Sequence, residues 1–381
     1  MPDKKRHSLH DLPGQCGFVS GGLEPNDSVC PVTRYRPEFV PSRLIDEAMS
    51  GWFPTLIRHC IGCELCSPDM EHSFANCADK LLLQGGVRED YMPRAFSGAL
   101  DAIVSIQLRN EGSQNRLGWI GEGLKIKAPD HEGKVALFVG NTPYLDSLLG
   151  DEIGYYPTDE SNAAIELLNS VGVEPVVLPD EVDCGRDRLH AGDRAAFIAL
   201  GTRNRDLLRE RGVKTIVTTC DDVRYTLGTR YPGRIPDWDF EVVRLADFLV
   251  SRGGKLAFMP TRETVAIQPP DIYSDPGGND AVRELLKRIP ELIVKTMAPG
   301  MPSTFGSWNQ FDSYSKLLET DYLRAAEATS APTLLVSGTT MLVRLLEGRR
   351  PGSWEETSIK IKGFYRFLSE RHTVAEEFAG A

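Results

Sequence analysis

No apolar run in the 381 residues approaches the length of a membrane span. Basic charge is not in excess either: 43 Lys and Arg stand against 54 Asp and Glu, a net charge of −11. That balance argues against nonspecific nucleic-acid binding. The basic stretch Met1 to His10 is followed by no apolar segment of the kind a signal peptide needs, so a cytoplasmic protein is expected. The sequence also lacks a P-loop and a Ser/His/Asp constellation. The glycines at 112, 118, 121 and 123 do not follow a strand in the G-x-G-x-x-G manner, so no dinucleotide fingerprint is read there. No nucleophile and no general base can be assigned from the sequence.

What the chain does have is cysteine, unevenly placed. Of eight cysteines, at 16, 30, 60, 63, 66, 77, 184 and 220, six fall within the first 77 residues. In a reducing compartment such crowding points to metal rather than to disulfides. The densest stretch is His59-Cys60-Ile61-Gly62-Cys63-Glu64-Leu65-Cys66. Two-residue spacing puts three thiolates on one tight loop, as iron–sulfur clusters require. A fourth ligand must come from elsewhere, and Cys30, in Cys30-Pro31, and Cys77 both qualify. A loop ligand, a helix and then three close ligands is the order of two-cluster bacterial ferredoxins, where the cysteine before proline reaches across to the other motif's cluster. By that logic Cys30, Cys60, Cys63 and Cys66 hold one [4Fe-4S] cluster. The rival is structural zinc, which also takes four thiolates, with His59, His72 and Cys77 as further donors.

Residues 1–13 are polar and expected to be flexible. The segment from Gln15 to Val32 reads as loop. Residues 38–57 carry apolar residues at helical spacing, with Ser42 as the cap, and residues 73–110 read as further helix. Residues 111–133, rich in glycine, read as a linker.

Beyond the linker an internal repeat emerges. Lys134–Val139 recurs at Lys255–Met259, Ala164–Leu168 at Val282–Leu286, and Thr215–Thr218 at Thr333–Val336, offsets of 121, 118 and 118 residues. Short β-branched runs between helical patterns predict parallel sheets in two α/β lobes related by a pseudo-twofold. The segment after Trp354 reads as an amphipathic helix. Asp183-Cys184-Gly185 and Thr219-Cys220-Asp221-Asp222 follow strands, where ligand sites gather in such folds. With His190 they offer a metal site or a redox disulfide, or else two cysteines buried as small apolar groups. The acidic pairs Asp221-Asp222 and Asp159-Glu160 read as solvated turn residues.

Gln15-Cys16-Gly17 with Cys30-Pro31, the Cys60–Cys66 loop and Asn115-Arg-Leu-Gly-Trp119 resemble the fused C and B subunits of heterodisulfide reductase, as in its D-type subunit, and the glycolate oxidase iron–sulfur subunit. The resemblance covers nearly the whole chain. It implies an α-helical ferredoxin-like domain over residues 1–110, a linker at 111–133, and two α/β lobes of the cysteine-rich Cys-Cys-Gly type at 134–250 and 251–381. Both lobes are degenerate. Where that family has Gly-Cys, Cys-Cys-Gly and Cys-x-x-Cys, the first lobe has Gly140-Asn141, Asp183-Cys184-Gly185 and Cys220-Asp-Asp-Val223. The second lobe keeps no thiol, its aligned positions being Phe305-Gly306 and Ser337-Gly338. The first ferredoxin motif lacks two of its cysteines and the second lacks its fourth, so only one cluster can be assembled.

The resemblance therefore implies an electron-transfer and scaffold subunit of a multi-subunit oxidoreductase. Flavin- or iron–sulfur-containing subunits would be its partners, and any membrane contact would be made through them. A catalytic oxidoreductase acting on a thiol, disulfide or 2-hydroxy acid through the Cys184 and Cys220 loops is the alternative from another class. A structural zinc-binding subunit is a third.

Overall fold

The computed structural model describes residues 30, 32–33, 36–49, 56, 98–110, 112–190, 193–252, 256–268, 281–298, 312–347 and 357–373. The expectations for Cys16, Cys60, Cys63, Cys66, Cys77 and Phe305 fall outside the described residues.

Two parallel sheets form the frame. The first has the order β1-β2-β3, built from Val135–Phe138, Thr215–Thr218 and Glu241–Arg244. Val176 adds one parallel bridge on the free side of β1, its N–H bonding Val135 O at 2.8 Å. After the short β4 (Ala257–Phe258), the second sheet joins β5 (Thr264–Ile267), β6 (Ile293–Thr296), β7 (Thr333–Val336) and β8 (Lys360–Gly363) in the order β6-β5-β7-β8. Apolar β-branched runs suit this arrangement, because a parallel sheet is covered on both faces. All four residues of β7 are buried.

The repeat reading is corrected at one strand. Lys255–Met259 contributes β4, which pairs antiparallel with β9 (His372–Thr373) rather than joining the parallel sheet. The strand seated beside β7 as β1 sits beside β2 is β5. The segment after Trp354 is likewise not all helix, since β8 precedes its helix.

Twelve α-helices are described. Two precede the sheets: α1 (Pro41–Met49) and α2 (Ala99–Arg109). The helix expected from residue 38 starts at Pro41, whose fixed φ suits a first turn, and Ser42 lies inside that turn rather than capping it. Around the first sheet lie α3 (Thr142–Ile153), α4 (Thr158–Ser170), α5 (Arg186–His190), α6 (Arg194–Glu210), α7 (Asp221–Tyr225) and α8 (Leu245–Ser251). Around the second lie α9 (Ala281–Lys287), α10 (Asp312–Glu327), α11 (Thr339–Glu347) and α12 (Phe364–Ser369). Asp193 starts α6 by accepting the Ala196 N–H at 3.0 Å. Among the described residues no helix is long and apolar enough to cross a membrane.

The two halves share a core. Leu137, Leu168, Val217 and Leu245 pack in one cluster with Val265, Leu285, Leu335 and Phe364. The helices cross over: α12, following the last parallel strand of the second sheet, packs on α4 of the first, and α8 packs on α9. The α12–α4 contact is polar at its centre. Glu160 is buried and accepts the N–H groups of Tyr365 at 3.0 Å and Arg366 at 3.2 Å, capping α12, and the Tyr155 hydroxyl at 2.8 Å. Asp159 pairs with Arg366 at 2.5 Å. The reading of Asp159-Glu160 as solvated turn residues is thus overturned for Glu160, because a helix N-terminus from the other half supplies the donors that burial demands.

Residues 112–133 hold no helix or strand among them, but they do not form a free tether. Trp119, Ile120 and Leu124 pack against the shared core, and Arg116 is buried.

Candidate functional site

The ends of β1, β2 and β7 converge, as the C-terminal edges of parallel strands do in α/β folds. β1 leads through Gly140, whose φ is +59°, and Asn141 into α3. β2 leads through Thr219 and Cys220 into α7, and β7 through Ser337 and Gly338 into α11. A third loop of the first half, residues 179–185, carries Asp183, Cys184 and Gly185 into α5. Together they enclose a cavity of about 80 Å³, lined among others by Asn141, Asp183, Cys184, Cys220 and Thr340. Cys184 and Cys220, 36 positions apart, therefore face one space, joined by the second half through Thr339 and Thr340.

The walls are stitched from below. Arg116 donates to Gly140 O at 2.7 Å and Glu181 O at 2.6 Å, and Glu181 accepts the N–H groups of Val139 and Gly140 at 3.0 and 2.5 Å. Asn204, wholly buried, closes a reciprocal pair with the Val182 backbone at 3.0 Å each way. The Tyr231 hydroxyl donates to Cys184 O at 2.9 Å. Gly185 holds φ +74°, and an added Cβ would lie 3.1 Å from the Phe197 ring, so a side chain there would be both strained and crowded. Beyond α7 the helix widens into a π-helical turn, Thr226–Arg230, a local feature often found beside functional sites.

α2 forms part of the wall. Gln107 donates to Asn141 Oδ1 at 3.2 Å and accepts the Asp183 N–H at 3.1 Å. Arg188 pairs with Asp101 at 2.7 Å, and Arg203 closes the end of α2 by donating to Gln107 O and Asn110 O at 2.9 and 2.7 Å.

Both thiols are free and buried. Loss of water raises the Cys184 pKa well above the ordinary thiol value, with Asp183 adding to it; the Arg186 N–H opposes the rise. Burial pushes Cys220 up to about 11, although the Val223 N–H and the Thr340 hydroxyl bond its sulfur. Neither is a nucleophile in this state. Burial also raises Asp183, and it lifts Asp187 to about 7 with help from Asp183.

Asp221 and Asp222, expected as solvated, are buried instead. Asp222 pairs with Arg186 at 2.9 Å, and Asp221 lies 3.9 Å from Arg244. Paired charges are what burial of carboxylates requires. The partnerships with Arg186 and Arg244, and the roles of Gln107, Thr339 and Thr340, had no motif to announce them. Among the described residues no three Cys, His, Asp or Glu side chains meet as a metal site would need, and the His190 side chain, expected with Asp183, Cys184, Cys220, Asp221 and Asp222, lies outside them.

Of the four cysteines expected to hold a cluster, the structure describes one. Cys30 is a free thiol, 8 % exposed, and Val32, Phe39 and Leu44 beyond it are buried as well. A buried thiol at the loop position suits a cluster ligand, which works shielded from water.

No protein-family model matches the chain. Over 136 residues it is 30% identical to an uncharacterized iron–sulfur protein of Methanocaldococcus jannaschii, a match covering 34% of this chain. The chain spans about a quarter of that relative's length, 26%. In architecture it resembles the crystal structure of a hypothetical protein from Helicobacter pylori, with a TM-score of 0.51 over 93% of this chain and 73% of that one. The two are 10% identical in sequence, so the likeness is one of fold alone.

Proposed function

We propose that the chain is an iron–sulfur electron-transfer protein in which Cys30, Cys60, Cys63 and Cys66 hold one [4Fe-4S] cluster. It would act as a relay and scaffold subunit of a larger oxidoreductase. The carrying observation is the Cys60-x-x-Cys63-x-x-Cys66 spacing together with a buried Cys30 ahead of it. The partial relative, named an iron–sulfur protein, supports the same class. A bound cluster would supply one-electron exchange. The chain's own part is to furnish four thiolates and keep them from water, and Cys30 meets the second condition. The body is read as two degenerate lobes, supported by the matched placement of β1-β2-β3 and β5-β7-β8 in their sheets. Burial raises the pKa of both cavity thiols, away from an activated nucleophile, which supports a docking role over catalysis.

Iron, zinc and acid-labile sulfide in anaerobically purified protein, with an EPR spectrum after reduction, test the reading. About four irons and four sulfides per chain are expected for one such centre. Cys30→Ser should lower that content further than Cys77→Ser. Zinc without sulfide would refute the proposal.

A further inference from the structure

We propose that the Cys184/Cys220 cavity holds no iron–sulfur cluster, and that its ligand positions serve instead as a hydrogen-bonded seam between the two halves. This deepens the preceding proposal, because it confines the chain's iron to the Cys30–Cys66 region.

The argument starts from the donor set. The resemblance places ligating thiolates at Asn141, Asp183, Cys184, Cys220 and Val223. Two of these positions keep sulfur. Asn141 and Asp183 bond each other instead, Nδ2 to Oδ2 at 2.7 Å. Their remaining polar atoms are engaged too. Asn141 Oδ1 accepts from Gln107 at 3.2 Å, and Asp183 Oδ1 accepts the Gly185 N–H at 2.6 Å. Both Asp183 oxygens thus serve neighbours within the loop cluster, and the bond to Gly185 shapes the Cys184-Gly185 turn. Buried polar groups resist the loss of such bonds unless a replacement partner arrives.

The sulfurs are engaged as well. Cys220 Sγ lies 3.2 Å from Thr340 Oγ1, and one residue away Thr219 Oγ1 lies 2.9 Å from Thr339 Oγ1. Both contacts cross from the end of β2 to the first turn of α11, so they join one half to the other. The adjoining wall carries the Arg186–Asp222 ion pair at 2.9 Å, which adds no thiolate to the donor set. Two thiols, a self-paired amide and carboxylate, and a guanidinium do not make the thiolate cage that a cluster takes. They do make a polar contact that holds α11 against β2.

The test uses the full chain, purified anaerobically, in three forms: wild type, Cys184→Ser/Cys220→Ser, and Cys60→Ser/Cys63→Ser. Iron and sulfide should be unchanged in the first double variant and lost in the second. A fall in iron in Cys184→Ser/Cys220→Ser would overturn the inference. If the wild type itself carries no iron, the relay proposal fails, and the cavity is then tested by anaerobic reconstitution with ferrous iron and sulfide. Uptake that depends on Cys184 and Cys220 overturns the inference, and no such uptake supports it. Should the double variant not fold, the single variants Cys184→Ser and Cys220→Ser give the same reading. The seam has its own readout. Thr219→Val/Thr340→Val removes no thiol and should speed amide exchange in the first turn of α11, and unchanged exchange there would overturn the seam.

Discussion

Gly363→Ala tests how the last parallel strand is tied to the other half of the molecule. Gly363 ends β8 and precedes α12 at φ −69° and ψ 138°, a conformation alanine adopts freely. The glycine is required by space instead, for an added Cβ would overlap the Glu160 carboxylate. That carboxylate cannot simply swing aside, since it receives the N–H groups of Tyr365 and Arg366 and the hydroxyl of Tyr155. Displacing it strands the buried Tyr365 N–H and the part-buried Arg366 N–H at the start of α12, at about 1–3 kcal/mol each. A total near ~3 kcal/mol corresponds to roughly a hundredfold rise in local opening. Native-state amide exchange at Tyr365 and Arg366 reads that opening directly. The decisive comparison is a double-mutant cycle. In a Glu160→Ala background the clash is gone, so Gly363→Ala should be neutral or stabilise by about 0.5 kcal/mol through the unfolded chain. If the two substitutions instead add within about 0.5 kcal/mol, the reasoning is wrong.

Two further outcomes follow from buried acids and thiols. Burial lifts Glu160 from 4.5 to about 7, so its neutral form is favoured by the fold. The stabilisation is fully present below pH 4.5 and is lost as pH rises through about 7, at most ~3 kcal/mol. Thermal midpoints measured from pH 5 to 8 should fall less steeply in Glu160→Gln than in the wild type, and equal slopes would refute the assignment. Cys184 and Cys220 should resist iodoacetamide in the folded chain. With Cys220 near 11 rather than an ordinary ~8.5, its thiolate fraction at neutral pH falls by about a hundredfold or more. Mass mapping that found Cys220 alkylated as fast as in the denatured chain would contradict the buried cavity.

Two of the parallel strands were legible in the sequence. Thr215–Thr218 is β-branched throughout, and Thr333–Val336 places β-branched residues at either end of two leucines; both are largely buried and flanked by parallel neighbours, at an offset of 118. The first strand was misread for a physical reason. Lys255-Leu-Ala-Phe-Met shows the apolar run a strand needs, but an edge pairing with β9 satisfies it equally well. The run Thr264–Ile267, which belongs to the sheet, is no longer or more apolar than its rival. The acidic pairs were misread because a carboxylate's burial depends on distant partners. Asp222 meets Arg186 across 36 positions, and Glu160 meets Tyr365 across 205. No local window carries that information.

The candidate cavity was half legible for a related reason. Strand-end topology placed the Cys184 and Cys220 loops at one sheet edge, and the resemblance added Asn141. What those residues do there depends on a helix that belongs, by sequence, to the cysteine-rich front. Gln107 of α2 fixes both Asn141 and Asp183, and Asp101 of the same helix pairs with Arg188. A boundary drawn at residue 110 therefore cuts through the wall of the cavity. The helix α2, downstream of Cys60, Cys63 and Cys66 in sequence, is fixed by the Asp101–Arg188 ion pair, by Arg203 at its C-terminal end and by the Gln107 amide, so it belongs structurally with the α/β body.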